Sequence, residues 1–547
     1  MTDYEELLLL RTLVEKQKEE LAQNAKTIEL NIKTIEQQNI RIENMVQALL
    51  HANKKLFGAS SEVSKQLDGQ MNLFESTIEL AKELFNEQKK ITVSGYSKVP
   101  RQPGVRAEML AGLPKEIEEY IINPDEVCSD CGGKLKVIGK KLIRTEVEFI
   151  PSRIKVIQIV QQVAKCMECG TDGSENPKEH FQKAAIPTSV LSHSIATASL
   201  VAQVMYQKFL MGMPLNRQEK DWYRMGLVLP RGNMANWVIR CSDDWMTPIY
   251  NRIHTELLKC EILHMDETRI QCNKEEGKKA SSNSFMWVMR SGASEDITAA
   301  FFYYSRTRSG DVAKKLLDGY HNYLTTDAYA GYEKATGIKR NLCWAHVRRY
   351  MLESIPLDNS GKEIPGSKGA EGKEFINLLF KLEEEMKELT YKEKKVKRQV
   401  ASRAILDAFW SWVEETATLS TTNEKLTKAL TYATNQKKYL ETFLEDGRLP
   451  ISNNLCEANI KPFATARRSW LFADTPKGAT ANAVMYTIVE SAKANDLNVY
   501  EYLKFLLTVM PDTDINNHPD LIDSYLPWSK ELPEECRLTK KVKKHFI

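Results

Sequence analysis

Cys260-Glu-Ile-Leu-His-Met-Asp266-Glu-Thr-Arg-Ile-Gln271 is a short apolar run that ends in acid. Its reading decides the fold. Ser284-Phe-Met-Trp-Val-Met-Arg290 and Thr298-Ala-Ala-Phe-Phe-Tyr-Tyr304 follow as two more runs of strand length, rich in aromatic residues and bounded by turn residues. Together they predict a three-strand meander with Asp266 on its first strand. A helix is expected from about Gly310 to Leu317. Tyr323-Leu-Thr-Thr-Asp327-Ala-Tyr-Ala-Gly-Tyr332 then reads as a strand ending in an Asp, and Lys339-Arg-Asn-Leu-Cys-Trp-Ala-His-Val-Arg-Arg349 as a short strand entering a basic helix.

The order βββ-α-β-α-β matches a ribonuclease-H-like sheet. In that arrangement one acid lies on the first strand, a second just after the fourth, and a third on a later helix. The later stretch Gly447-Arg-Leu-Pro-Ile-Ser-Asn-Asn-Leu-Cys-Glu-Ala-Asn-Ile-Lys-Pro-Phe-Ala-Thr-Ala-Arg-Arg-Ser-Trp470 offers the third. Ser452, Asn453 and Asn454 suit a helix N-cap, and Glu457 in the first turn is favoured by the helix dipole. Taken alone, the stretch is a capped surface helix with a Glu457–Lys461 pair. With Asp266 and Asp327 it supplies a carboxylate set. Such a set can hold two Mg²⁺ ions roughly 4 Å apart, which activate a water or 3′-hydroxyl and stabilise the leaving oxygen of a phosphodiester. Mg²⁺ takes oxygen ligands and keeps waters, so a few carboxylates suffice. Glu267 is expected on the opposite strand face and is assigned no metal.

The 547 residues suggest several domains, and 42% hydrophobic with 27% charged residues is ordinary for globular protein. A net charge of +3 makes any basic surface local and neither supports nor excludes nucleic-acid binding. No apolar run is long enough to span a bilayer, and the acidic start Met-Thr-Asp-Tyr-Glu-Glu is unlike a secretory signal, so a cytoplasmic, nucleoid-associated protein is expected. The whole reads as a multidomain α+β chain with a coiled-coil helix over 1–52 and a helix and basic linker over 53–107. A zinc-ribbon DNA-binding module follows at 120–185, then a helix-turn-helix-like region at 186–256. The α/β catalytic domain covers 257–475 with a helical insertion at about 355–445, and a helical region covers 476–547.

Leu7, Val14, Leu21, Ile28, Ile35, Ile42 and Leu49 lie seven apart, a sustained heptad position. The matching second positions are Leu10, Gln17, Asn24, Asn31, Gln38 and Met45, polar in the middle, which fixes register at a cost in stability. Self-association is therefore expected, as a dimer. Cys128-Ser-Asp-Cys131 and Cys166-Met-Glu-Cys169 are two knuckles, each followed by glycine. Strands at Thr145–Ile150 and Ile154–Val163 would bridge them, giving structural zinc on four thiolates rather than a redox pair. Between Met213 and Arg240 the pattern is helix, Gly226 turn, then a second helix from near Arg231. Arg231, Asn233 and Asn236 fall at its start, where a recognition helix meets bases, although ordinary cores also contain such hairpins. Cys343 and His346 form a Cys-x-x-His pair two ligands short of a zinc site, better suited to supporting the acids or DNA. The Lys- and Glu-rich segment from Gly361 to about Lys438 reads as a solvated helical pair.

Four stretches resemble transposases of insertion-sequence family sixty-six. They are His264-Met-Asp-Glu-Thr268, Thr326-Asp-Ala-Tyr-Ala-Gly-Tyr332, Cys343-Trp-Ala-His-Val-Arg-Arg349, and Asn453-Asn-Leu-Cys-Glu-Ala458 with Arg467-Arg-Ser-Trp-Leu-Phe472. The likeness also takes in the leading helix, Leu56-Phe-Gly58, the Cys-pair module and the stretch Pro214 to Trp237. It implies an Asp-Asp-Glu set at Asp266, Asp327 and Glu457, with Mg²⁺ or Mn²⁺. The chain departs from the family pattern at Ala328, Cys456 and Asn459, none of which removes a carboxylate. The resemblance implies a DNA transposase acting on double-stranded element ends and target, and accessory proteins of the same element. Arg348, Arg349, Lys461, Arg467 and Arg468 then read as phosphate contacts. A metal-dependent nuclease that joins no ends, and a non-catalytic DNA-binding protein, remain open on the residues alone.

Overall fold

A computed structural model describes residues 3–57, 116–123, 129–130, 133–147, 153–166 and 181–538. The chain divides into two units. One comprises residues 1–92, 253–464 and 472–475; the other comprises 93–252, 465–471 and 476–547.

The first unit begins with α1 (Asp3–Phe57), an uninterrupted helix about 80 Å long at 1.5 Å per residue. The heptad residues Val14 to Leu49 are 47–68% exposed, so among the described residues nothing covers the apolar stripe. The far end of α1 is fastened differently. Asn44 Nδ2 donates to the Thr422 carbonyl at 2.9 Å, and Gln47 exchanges two bonds with the backbone of Leu357 at 2.9 and 3.2 Å.

In the second unit, β1 (Val163–Lys165) pairs antiparallel with β2 (Phe181–Lys183). The strands expected at 145–150 and 154–163 are absent among the described residues, apart from Val163 in β1. The ladder starts where the predicted second strand ends and takes a partner beyond the second knuckle. Four helices follow: α2 (Ala198–Met205), α3 (Leu215–Arg224), α4 (Arg231–Cys241) and α5 (Thr247–Leu257). Gly226, at φ +87°, makes the turn between α3 and α4, a conformation that costs glycine nothing. Phe209 meets Tyr486 edge to face at 5.2 Å, and Trp245 donates to the Val190 carbonyl. The two helical regions read apart, 186–256 and 476–547, thus share one core over most of their length.

The first unit holds a five-stranded sheet of order β5-β4-β3-β6-β7. Its strands are β3 (Ile262–Gln271), β4 (Asn283–Ser291), β5 (Ala300–Ser305), β6 (Tyr323–Thr326) and β7 (Lys339–Leu342). The meander β3-β4-β5 is antiparallel, while β6 and β7 run parallel to β3. A crossover through α6 (Gly310–Leu316) carries the chain from β5, at one edge, to β6 on the far side of β3. The central strand is buried for its first four residues, Ile262, Leu263, His264 and Met265.

After β7 come α7 (Trp344–Ser354), α8 (Lys368–Glu385), α9 (Tyr391–Lys397), α10 (Arg403–Thr418) and α11 (Glu424–Leu440). The insertion is no solvated pair. Phe409, Trp410 and Trp412 pack with Trp344, Leu379, Leu430 and Phe443 in a core that reaches Ile262 of β3. The many Lys and Glu residues lie around this aromatic interior and hid it from a compositional reading. Arg398, fully buried, ties the insertion to the returning chain at Phe443, Asp446 and Leu449. Gly447 allows that approach, because a Cβ there would stand 1.9 Å from the Tyr391 carbonyl oxygen. The chain then enters α12 (Asn454–Trp470), followed by α13 (Pro476–Ala494) and α14 (Val499–Val509). No described helix is long and apolar enough to cross a membrane.

Candidate active site

Two aspartates meet where two parallel strands part. Leu263 faces Leu324 and His264 faces Thr325, and the pairing stops there. The same offset of 61 residues places Asp266 level with Asp327, just beyond the last paired residues. Asp266, Glu267 and Asp327 each present an oxygen within 4.8 Å of the others. Asp266 Oδ1 accepts from the Glu267 amide at 2.8 Å, and Asp327 Oδ1 accepts from the Tyr329 amide at 2.9 Å, so both carboxylates are oriented by backbone.

Glu267 corrects the strand-face expectation. Alternation would send it away from Asp266, yet its carboxylate joins the two aspartates. The Glu267 side chain is only 1% exposed and is bonded on both oxygens. Tyr332 Oη donates to Glu267 Oε2 at 2.8 Å, Arg308 donates to Oε1, and an Arg308 nitrogen lies 3.7 Å from Asp327 Oδ2. Arg308 is fixed in turn by lying 4.1 Å over the Tyr329 ring.

One guanidinium does not neutralise this group. Burial pushes the Asp266 carboxyl well above the usual carboxylate range, and the charges of Glu267, Asp327 and Glu457 push it further. Burial, then the Asp327 charge, also raises Glu267. Carboxylates that repel at this distance favour a divalent cation, and hard oxygen donors match Mg²⁺ or Mn²⁺.

Glu457 sits in the first turn of α12. It lies in a second cluster, with Cys343 and His346, whose ligand atoms are also within 4.8 Å of one another. His346 Nε2 is 3.7 Å from Glu457 Oε1. Burial and the Glu457 charge push the Cys343 thiol up to about 12, and its sulfur accepts from the Asn453 amide at 3.2 Å. The Cys-x-x-His pair is thus gathered with Glu457, and its ligand atoms make a second group able to hold a metal ion. The Asp266 and Asp327 oxygens are thus gathered directly. Glu457 comes close enough for its charge to act on Asp266, but it stands in the histidine cluster.

The expected nucleic-acid contacts divide. Arg231, Asn233 and Asn236 are all exposed on the first half of α4. Arg349 is exposed, whereas Arg348 is half-buried, with Nε donating to Asn377 at 2.8 Å. That bond ties the Arg348 guanidinium to the insertion through one of its three nitrogens. Lys461 and Arg467 are half-buried and Arg468 is exposed. Of the four zinc-knuckle cysteines, Cys166 is described and half-buried; Cys128, Cys131 and Cys169 lie outside the described residues.

Three comparisons bear on this arrangement. The family model described as Transposase IS66 family matches residues 193–481, more than half of the chain. The zinc-finger binding domain of transposase IS66 matches 125–170, around the four cysteines, and Transposase C of IS166 homeodomain matches 46–117. Among relatives, the uncharacterized protein y4hP of Sinorhizobium fredii is 27% identical over 76% of this chain and 75% of its own length. The uncharacterized protein y4jD of the same organism is 23% identical over 90% of this chain and 96% of its own. Among solved structures, the Drosophila P element transposase strand transfer complex aligns with a TM-score of 0.22 and 14% identity, covering 64% of this chain and 91% of that one.

Proposed function

Because the chain belongs to the Transposase IS66 family, we propose that it binds the double-stranded ends of an insertion sequence and catalyses metal-dependent strand cleavage and transfer on a ribonuclease-H-like sheet. One observation carries this reading: Asp266 and Asp327 stand level where β3 and β6 part, and Glu457 is returned toward them after the insertion. The sheet order β5-β4-β3-β6-β7 supports the fold assignment.

Asp266, Asp327 and Glu457 are the residues that would hold Mg²⁺ or Mn²⁺. When bound, such ions supply an activated water or 3′-hydroxyl and a stabilised leaving oxygen. The chain's own groups do the rest. Backbone amides aim the two aspartates, and His346 Nε2 lies 3.7 Å from Glu457 Oε1. Arg308 places a positive charge at the edge of the acids, within reach of a phosphate. The exposed start of α4 suits base contacts, and the Cys128, Cys131, Cys166 and Cys169 set suits structural zinc. The uncovered stripe of α1 suits a dimer. The family resemblance implies accessory proteins of the same element as further partners.

The test supplies pre-cleaved, labelled element ends and target DNA with Mg²⁺. Joined products support transposition. Cleavage without joining would assign a nuclease instead, and binding with neither would leave a non-catalytic DNA-binding protein.

A further inference from the structure

Asn453 occupies the N-cap position of α12, where an Asn side chain ordinarily accepts from its own helix. Here it is 1% exposed, and its side chain is committed to the sheet. Nδ2 donates to the Met265 carbonyl at 3.1 Å, and Oδ1 lies 2.9 Å from His264 Nδ1. A carbonyl only accepts, so the amide nitrogen must face Met265, the amide oxygen must face His264, and His264 carries its hydrogen on Nδ1. The backbone of Asn453 is equally occupied. Its N–H donates to Cys343 Sγ at 3.2 Å, and its carbonyl accepts from the amides of Cys456 and Glu457 at 3.1 and 3.2 Å.

One residue therefore joins β3, the residue that precedes α7 and the first turn of α12. It bonds the strand residue next to Asp266, the cysteine that begins the His346 helix, and the amide of Glu457 itself. A buried amide left unbonded is costly, so this set of bonds resists rotation or sliding of the first turn of α12. Resting on the Asp-Asp-Glu reading above, we infer that Asn453 is a positioning residue that sets the separation between Glu457 and Asp266. Ligands of one ion must be held to a fraction of an ångström, and a misplacement of about 1 Å can cost about 10²-fold in rate.

Asn453→Asp keeps the shape and the bond to His264 but sets an oxygen against the Met265 carbonyl; Asn453→Ala removes both bonds. Mn²⁺ binding is followed by electron paramagnetic resonance, alongside end binding, strand joining against Mn²⁺ concentration, and circular dichroism. Both variants are expected to fold and to bind ends like the wild type. Their Mn²⁺ midpoint should rise at least tenfold, and saturating Mn²⁺ should restore much of the joining. A purely structural role would lower the melting temperature and leave the midpoint of the folded protein unchanged, which overturns the inference. Should the Asn453 variants fail to fold, His264→Phe keeps the ring volume and loses only the bond to Oδ1. A shift of threefold or more is then expected, and none overturns the proposal. Asp266→Asn in the same titration separates the two levels. If it leaves Mn²⁺ binding intact, the metal role of the acids falls. If it abolishes binding while Asn453 variants match the wild type, only the positioning role falls.

Discussion

Replacing Arg398 by methionine should loosen the segment that returns the chain to Glu457. The Arg398 side chain is fully buried. Nε and Nη2 form a fork on the two oxygens of Glu383 at 2.7 Å each, Nη1 serves the carbonyls of Phe443 and Asp446 at 2.8 and 2.9 Å, and Nη2 serves Leu449 at 2.9 Å. Methionine fills the space of the stem but leaves Glu383 to Lys394, at 2.9 Å, and strips three carbonyls. Breaking a buried pair of this kind costs about 3–5 kcal/mol, a large part of the roughly 5–15 kcal/mol typical of a domain. Urea unfolding followed by tryptophan fluorescence reads the change, because Trp344, Trp410 and Trp412 share that core. The double variant Arg398→Met, Glu383→Gln should recover about 1 kcal/mol or more, since the stranded charge is gone. A pH series adds a check. Burial alone would raise the Glu383 carboxyl, but the Arg398 bonds and charge outweigh it and hold the group below its usual range. The stabilisation is then complete above the unfolded value of about 4.3 and is lost as pH falls through the depressed folded value. Arg398→Met should flatten that acid limb. A single variant costing less than about 1 kcal/mol, or a double variant no better than the single, would refute the reasoning.

Purified protein should carry zinc, and Cys128→Ser or Cys166→Ser should release it, as metal analysis will show; zinc-free wild-type protein removes the ribbon. Leu21→Asp with Ile28→Asp places charge in the uncovered stripe of α1 and should convert a dimer to a monomer in light scattering. Gly447→Ala should destabilise the insertion by about 1–3 kcal/mol in thermal unfolding, because the new methyl meets the Tyr391 carbonyl. Arg231→Ala should weaken end binding and, if the contact is to phosphate, lower the salt slope by about 1.

The sheet was legible because its signal is local. Each run around Asp266, Trp287 and Phe302 has strand length, and Asp327 follows the last residue of β6. The parallel register that levels Asp266 with Asp327 is a long-range property, and no pattern in either strand states it. Glu267 was misplaced because alternation does not show its partners Tyr332 and Arg308, which lie far along the chain and hold its carboxylate. The insertion misled through composition: Phe409, Trp410 and Trp412 were visible, but their partner Trp344 lies more than sixty residues earlier. Asn453 was read as a cap from its position, while its side chain bonds residues almost two hundred positions away. Arg348 and Arg349 look alike in sequence, and Asn377, on another helix, distinguishes them.

The central claim is that Asp266, Asp327 and Glu457 act as one set. Asp266→Asn, Asp327→Asn and Glu457→Gln, each alone, are to be assayed for joining of pre-cleaved ends in Mg²⁺ and for end binding by mobility shift. The account predicts joining by the wild type, a loss of about 10³-fold or more in every variant, and unchanged end binding, since members of one catalytic unit fail together. Joining at the wild-type rate by any one of the three would contradict it.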